Sequence, residues 1–194
     1  MEKIASFQVD HTRLTPGMYT SRTDGDVVTY DVRFIKPNTP PYLDPPVLHT
    51  IEHLVATYVR NSSHKDGVIY FGPMGCRTGF YFLTRGIGEA DAIALMRDAL
   101  AFTAAFEEEI PGASAVECGN YLEHDLPGAR RAAAAMAAVL PPEISCAVIL
   151  ISQPAHVVQH FFYVPNAGRR HFMHPDDVAA IFHGNLLSGT EGSF

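Results

Sequence analysis

Residues 46–61 constrain this chain most, because they combine a strong helical pattern with the motif H-x-x-E-H at 49–53. Residues spaced i, i+3 and i+4 share one face of a helix, so His49, Glu52 and His53 point the same way. The opposite face carries the apolar residues that a core-packed helix needs, namely Ile51, Leu54, Val55, Tyr58 and Val59. The pattern predicts an amphipathic helix with two imidazoles and a carboxylate on one face.

Two imidazoles one helical turn apart can bind a single divalent metal, and the neighbouring carboxylate can transfer protons. A core helix with two solvated histidines is the alternative interpretation. A metal site of this kind needs a third protein ligand, and a thiolate suits iron, zinc or cobalt. The chain contains three cysteines, which are Cys76, Cys118 and Cys146.

Cys76 and Cys118 each lie in a segment that can present a thiol. Cys76 belongs to G-P-M-G-C-R-T-G at 72–79, where the glycines and proline predict a turn between two strands. Cys118 lies just before a predicted helix. On local grounds either thiol can be the third ligand and the other a catalytic acid or base, since a nearby cation favours the thiolate. The alternative for each is an inert buried cysteine.

Several motifs together resemble one enzyme family. H-T-I-E-H-L at 49–54, G-P-M-G-C-R-T-G-F-Y at 72–81 and E-C-G at 117–119 are similar to three signature blocks of S-ribosylhomocysteine lyase. S-F-Q-V-D-H at 6–11 and D-V-R-F at 31–34 also resemble that family. The order and spacing match over roughly residues 1 to 140, which is more specific than any single motif.

The resemblance implies a role for each matching position. His49, His53 and Cys118 correspond to the ligands of a divalent metal, one Fe²⁺ per subunit, for which Zn²⁺ or Co²⁺ can substitute. Glu52 and Cys76 correspond to two general acid/base groups. Such a site leaves the metal an open position for substrate.

Ser6, His11 and Arg33 match family positions that contact the substrate. Two departures affect the strand before Cys76. Many members have an acidic residue six positions before the catalytic cysteine, where this chain has Tyr70, and Gly72 replaces a common serine. Substrate contacts from this strand are therefore expected to differ.

The activity implied by the resemblance is cleavage of S-ribosylhomocysteine to homocysteine and 4,5-dihydroxy-2,3-pentanedione, the precursor of the autoinducer-2 signal. Carbonyl migration along the ribose would precede β-elimination of the thioether, without a redox cofactor. The family forms homodimers with two active sites at the subunit interface. It serves the methyl cycle and quorum sensing.

Composition agrees with a single cytoplasmic enzyme domain. The chain has 194 residues and a net charge of −7, from 14 basic and 21 acidic side chains, without a basic run that would favour nucleic acid. We expect no membrane span and no signal peptide. Few cysteines, two of them needed as thiols, favour a reducing compartment.

The pattern of elements predicts an α+β fold, a single domain with an antiparallel sheet packed against helices and a family-type homodimer. We expect strands at 7–10, 27–35, 68–71 and 80–84, and helices at 46–61, 89–109 and 126–140. Asp125 is the expected cap of the last helix.

We assign residues 1–144 to a lyase-like catalytic domain and 145–194 to an atypical C-terminal tail. The tail carries His156, His160, His171, His174 and His183. These histidines indicate either a second metal site or an irregular tail, and a shifted reading frame or a fused segment are further origins. A short helix is expected near 175–182.

Two other function classes remain open. H-x-x-E-H is also found in inverzincin metallopeptidases, which usually take a carboxylate as third ligand. An inactive binding protein of the same fold is the second alternative. His124 lies near the third block and could reach the site, but we favour a solvated residue at a helix start. Arg77 either lowers the pKa of Cys76 or is a surface residue.

Overall fold

A computed structural model describes residues 7–140 of the chain. The predictions for Ser6, for Cys146 and for the tail at 145–194, including its helix near 175–182, lie outside the described residues. No helix among residues 7–140 is long and apolar enough to cross a membrane.

The sheet has four antiparallel strands in the order β1-β2-β4-β3. Their bounds are Gly17–Asp24 (β1), Val27–Arg33 (β2), Val68–Pro73 (β3) and Gly79–Arg85 (β4). Gly25, with a φ of 63°, supplies the left-handed residue of the tight turn between β1 and β2. The prediction of an antiparallel sheet is confirmed.

Three helices accompany the sheet, at Pro45–Arg60 (α1), Glu89–Ala105 (α2) and Leu126–Val139 (α3). The prolines at the start of α1 occupy the first turn, where a backbone N–H has no partner within the helix. Their missing N–H therefore removes no helical hydrogen bond. Asp125 caps α3 as predicted, because its Oδ1 accepts a hydrogen bond of 2.8 Å from the N–H of Gly128. Ala129 and Ala133 are fully buried, and their small side chains allow close helix packing.

The core lies between one face of the sheet and the helices. Tyr30 pairs with Phe82 and Val32 with Phe80 across β2 and β4, and all four side chains are buried there. Ile51, Leu54, Val55 and Val59 of α1 are fully buried, as its apolar stripe predicts. Since successive side chains of a strand point to opposite faces, Asp31, Arg33 and Tyr81 lie on the other face of the sheet.

One predicted strand and one predicted helix end are wrong. Residues 7–10 form a turn rather than a strand, because the carboxylate of Asp10 accepts hydrogen bonds from the backbone N–H and hydroxyl of Thr12. The first strand is β1 instead. Helix α2 ends at Ala105 and not at 109, since three successive glutamates at 107–109 would face the negative end of the helix dipole.

Candidate metal centre and active site

His49 and His53 lie one turn apart on α1, with ring centroids 4.7 Å apart and ring planes at 83°. The Nδ1 of His49 lies 2.9 Å from the carbonyl oxygen of Glu123, and the Nδ1 of His53 lies 2.8 Å from that of Pro111. A carbonyl oxygen can only accept, so both Nδ1 atoms carry the proton and donate. Each Nε2 therefore keeps its lone pair, which is the state that binds a metal.

Cys118 comes from the long segment between α2 and α3. Its Sγ lies 3.3 Å from Nε2 of His49. The backbone N–H of Cys118 donates to the carbonyl oxygen of Ser114, and the N–H of Asn120 points at Sγ from 3.4 Å. The segment thus holds the sulfur beside the imidazoles, as the third ligand position requires.

His124 completes the group, although the sequence analysis favoured a solvated residue at this position. One ligand atom each from His49, His53, Cys118 and His124 all lie within 4.8 Å of one another. Burial, followed by the charges of His49 and His53, lowers the pKa of His124 to about 4. The expectation of a solvated histidine is wrong, and its position six residues after Cys118 was the only sequence signal.

This group of four residues fits a divalent metal. It combines imidazole nitrogens oriented by backbone carbonyls with one sulfur, the donor set of zinc, ferrous iron and cobalt sites. A metallopeptidase would be expected to place a carboxylate in the third ligand position. The group found among the described residues contains the thiol of Cys118 and no carboxylate.

Glu52 lies between the two histidines of α1 and is half-buried. Burial raises the pKa of its carboxyl group above the ordinary value, while the charges of His49 and His53 oppose that effect. A carboxyl with a raised pKa exchanges protons closer to neutral pH, which suits a general acid/base beside the metal group.

Cys76 occupies a tight turn between β3 and β4. The N–H of Met74 donates to the carbonyl oxygen of Gly79, and that of Arg77 donates to the carbonyl oxygen of Met74, each at 2.9 Å. The side chain of Cys76 is exposed, with its Sγ 3.0 Å from the hydroxyl of Thr78. The turn therefore presents the thiol to solvent on a fixed backbone.

The cation beside Cys76 is Arg33. Its guanidinium is buried, forms an ion pair with Asp31, donates to the hydroxyl of Thr78 and lies 3.8 Å from Sγ of Cys76. Burial alone would raise the pKa of the thiol, but the hydrogen bonds of Thr78 and the charge of Arg33 outweigh it and lower the pKa. Arg77 instead lies over the ring of Tyr42 at 5.9 Å, so it is a surface residue.

Other residues predicted from the resemblance lie near this side of the sheet. Burial raises the pKa of Asp31, and the charges of Arg33 and His11 oppose that effect. The phenol of Tyr70 covers Gly72, where a Cβ would overlap its hydroxyl. The two departures from the family pattern are thus one physical feature, because only glycine leaves room for this position of the ring.

Comparison with known proteins identifies one family whose sequence model spans both the metal group and the Cys76 turn. The sequence model of the S-Ribosylhomocysteinase (LuxS) family matches residues 4–141. The chain belongs to this family. It is confirmed as a member of a lyase family, and the matched range includes both the metal group and the Cys76 turn.

Curated members of the LuxS family share about half of their matched residues with the chain. The S-ribosylhomocysteine lyase of Clostridium acetobutylicum is 50% identical over 133 residues, covering 66% of this chain and 84% of that protein. The enzyme of the same name from Porphyromonas gingivalis is 52% identical over 136 residues, 67% of this chain and 86% of the relative. That of Borreliella burgdorferi is 47% identical over 132 residues, covering 65% and 84% respectively.

Within this LuxS-family chain the two groups have separate charge environments. The charge that lowers the pKa of Cys76 comes from Arg33, whereas the charges acting on Glu52 come from His49 and His53. The metal group lies on α1 and on the long segment between α2 and α3, and the Cys76 group lies on the sheet. A single reaction that uses both needs them to face a common substrate.

Proposed function

We propose that this chain cleaves S-ribosylhomocysteine to homocysteine and 4,5-dihydroxy-2,3-pentanedione in a metal-dependent reaction. The observation that carries the proposal is the convergence of His49, His53 and Cys118, with both histidine Nε2 atoms free to bind. The substrate is proposed from the name of the relatives, S-ribosylhomocysteine lyase. The presence of both proton-transfer candidates, Glu52 and Cys76, agrees with an active enzyme.

His49, His53 and Cys118 are the proposed ligands of one Fe²⁺ per subunit, with Zn²⁺ or Co²⁺ able to substitute. When bound, the metal supplies Lewis acidity toward oxygen atoms of the sugar. The carbonyl oxygens of Glu123 and Pro111 hold the two imidazoles in the tautomer that the site needs.

The chemistry requires proton transfers at carbon. The substrate carries its sulfur on carbon 5 of a ribose, and a thioether on an unactivated carbon does not leave. Two aldose–ketose isomerisations move the carbonyl from carbon 1 to carbon 3. Loss of a proton from carbon 4 then expels homocysteine from carbon 5, and no redox cofactor is required because the carbon chain is rearranged internally.

Cys76 and Glu52 are the proposed proton carriers. The lowered pKa of Cys76 leaves a larger thiolate fraction at neutral pH, so its sulfur can remove a proton from carbon next to a carbonyl. The raised pKa of Glu52 allows its carboxyl group to return a proton to sugar carbon or oxygen. Two carriers suit a reaction that works along the length of the sugar.

Ser6, His11 and Arg33 are the proposed substrate-binding residues. Asp31 and Arg33 lie on the sheet face opposite the core, and the charge of His11 acts on the carboxyl group of Asp31. The buried guanidinium of Arg33 also holds Thr78 and the Cys76 thiol, so it would act on substrate and on catalytic sulfur together. We also infer a reducing cytoplasmic setting, because the reaction uses both Cys76 and Cys118 as thiols.

We infer that the enzyme is a homodimer whose active sites lie between subunits. The separate charge environments of Glu52 and Cys76 support this, since a second copy can bring the two groups together. Exposed apolar side chains flank Cys118, with Val116 97% and Leu122 80% exposed. In the proposed dimer a second copy would cover these two side chains.

A substrate comparison tests the function. Protein loaded with ferrous iron in the absence of oxygen is incubated with S-ribosylhomocysteine or with a mixed peptide library. New free thiol from the first and no cleavage of the second is the expected result. Peptide cleavage without thiol release would instead establish a metallopeptidase.

A further inference from the structure

The hydroxyl of Thr50 fixes the proton position of His124. Thr50 Oγ1 donates to the carbonyl oxygen of Pro46 at 2.8 Å and accepts from the N–H of Asp125 at 3.0 Å. A hydroxyl has one proton, and here it is directed at Pro46. Nδ1 of His124, 3.2 Å from the same oxygen, must therefore donate. The proton of neutral His124 is on Nδ1, and Nε2 carries a lone pair.

That lone pair has no partner among the described residues. Nε2 of His124 is buried without a hydrogen bond, although the ring belongs to the metal group with His49, His53 and Cys118. A buried acceptor left unpaired is unfavourable, so this atom is expected to meet either a metal or a hydrogen-bond donor when the site is in use.

The ring geometry distinguishes these two roles. The lone pair of an imidazole nitrogen lies in the ring plane, so a metal bound by two imidazoles must lie near both planes. His124 stacks on His49 with centroids 4.2 Å apart and planes at 21°, and such planes meet well beyond a metal–nitrogen bond of about 2 Å. His49 and His53, at 83°, have no such conflict, and neither have His53 and His124, at 76°. His49 and His124 therefore compete for one place, and the 3.3 Å contact between Nε2 of His49 and Sγ of Cys118 assigns that place to His49.

We propose that His124 is a positioning residue whose Nε2 accepts a hydrogen bond from the water or sugar hydroxyl that takes the position left open by His49, His53 and Cys118. This inference rests on the proposed function. The ring is oriented by Thr50 and stacked on a ligand, so the acceptor is in place before substrate arrives. Nε2 of His124 would thus bind a sugar carbon that carries a hydroxyl group, which donates a hydrogen bond, in preference to one that has lost it.

Nitrogen NMR of histidine-labelled protein loaded with cadmium-113 tests the role directly. We expect cadmium coupling to two imidazoles only, those of His49 and His53, and an uncoupled His124 protonated at Nδ1. Cadmium coupling to a third imidazole, or a His124 protonated at Nε2, would overturn the proposal. Thr50→Val should allow the Nε2-protonated form to appear, because it removes the acceptor that holds Nδ1.

His124→Phe provides the kinetic test, since it keeps an aromatic ring against His49 and removes both nitrogens. We expect metal content to stay at one ion per chain and kcat for thiol release to fall by roughly 10–100-fold. His64→Phe, a histidine outside the site, is the matched control and should behave as wild type. Loss of the metal or an unchanged kcat in His124→Phe would contradict the assignment.

The two levels of the account can fail separately. If the wild type releases no thiol, the proposed function is wrong, whereas the cadmium spectrum still decides the tautomer and the ligand set. If the wild type is active and His124→Phe matches the His64→Phe control, the lyase function stands and the role of His124 is wrong.

Discussion

Sγ of Cys118 lies 3.3 Å from Nε2 of His49, although 69 positions separate the two residues in the sequence. This contact joins the outer face of α1 to the segment between α2 and α3. Because the imidazoles are already oriented by carbonyl oxygens of that same segment, a bound metal would stabilise both the site and the local fold.

The two thiols should respond differently to removal. Cys118→Ala is expected to lose metal and thiol release together, because two imidazoles alone hold a divalent ion weakly. Cys76→Ala should retain metal and lose turnover. Elemental analysis of the purified proteins beside thiol release measures both. If Cys76→Ala strips the metal, the roles of the two cysteines are exchanged.

Glu52→Gln should keep the metal and lower kcat by about 10²–10⁴-fold, because an amide of the same shape cannot carry a proton. Metal content and thermal unfolding would be measured on the same preparation. Glu108→Gln is the matched control, since that side chain is exposed beyond the end of α2. A Glu52→Gln protein with wild-type kcat would remove the carboxyl group from the mechanism.

Thr78→Val should shift the reactivity of Cys76 to higher pH. The side-chain hydrogen bond of Thr78 favours the thiolate, so its loss raises the pKa of the thiol and reduces the thiolate fraction at pH 7, while the backbone hydrogen bond of residue 78 is kept. The pH dependence of iodoacetamide alkylation, read at Cys76 by mass spectrometry, reports the change. Thr78→Ser keeps the hydroxyl and should stay close to wild type, and identical curves for all three proteins would contradict the assignment.

Gly72→Ser should displace the phenol of Tyr70, since a Cβ at Gly72 overlaps it. Tyr70 is 46% exposed and can swing toward solvent, so the free energy of unfolding should fall by about 1 kcal/mol or less. In a Tyr70→Ala background the same substitution should have almost no effect on that free energy. An equal loss in both backgrounds would show that the two residues are not coupled.

The metal helix could be predicted from sequence because its pattern is local. The i, i+3, i+4 spacing of His49, Glu52 and His53 and the apolar stripe behind them each need only one helix. Asp125 as a cap is likewise a short-range preference, and the structure confirms it. Strand β2 could also be predicted, because its apolar residues alternate along the chain, as in a strand with one face against the core.

Features that depend on tertiary contacts could not be predicted. His124 enters the metal group through a hydrogen bond to Thr50, 74 positions away, which no local pattern records. Arg77 is next to Cys76 in sequence, yet Arg33, 43 positions away, supplies the cation. The error at residues 7–10 has a local cause. These residues alternate like a strand, but the side chain of Asp10 stabilises a turn by accepting a hydrogen bond from the N–H of Thr12.

The most direct test of the central claim is product analysis from protein loaded anaerobically with ferrous iron and supplied with S-ribosylhomocysteine. The account predicts homocysteine and 4,5-dihydroxy-2,3-pentanedione in equal amounts from the wild type, and neither product from metal-loaded Cys76→Ala. No products from a folded, metal-loaded wild type, or equal yields from wild type and Cys76→Ala, would contradict it.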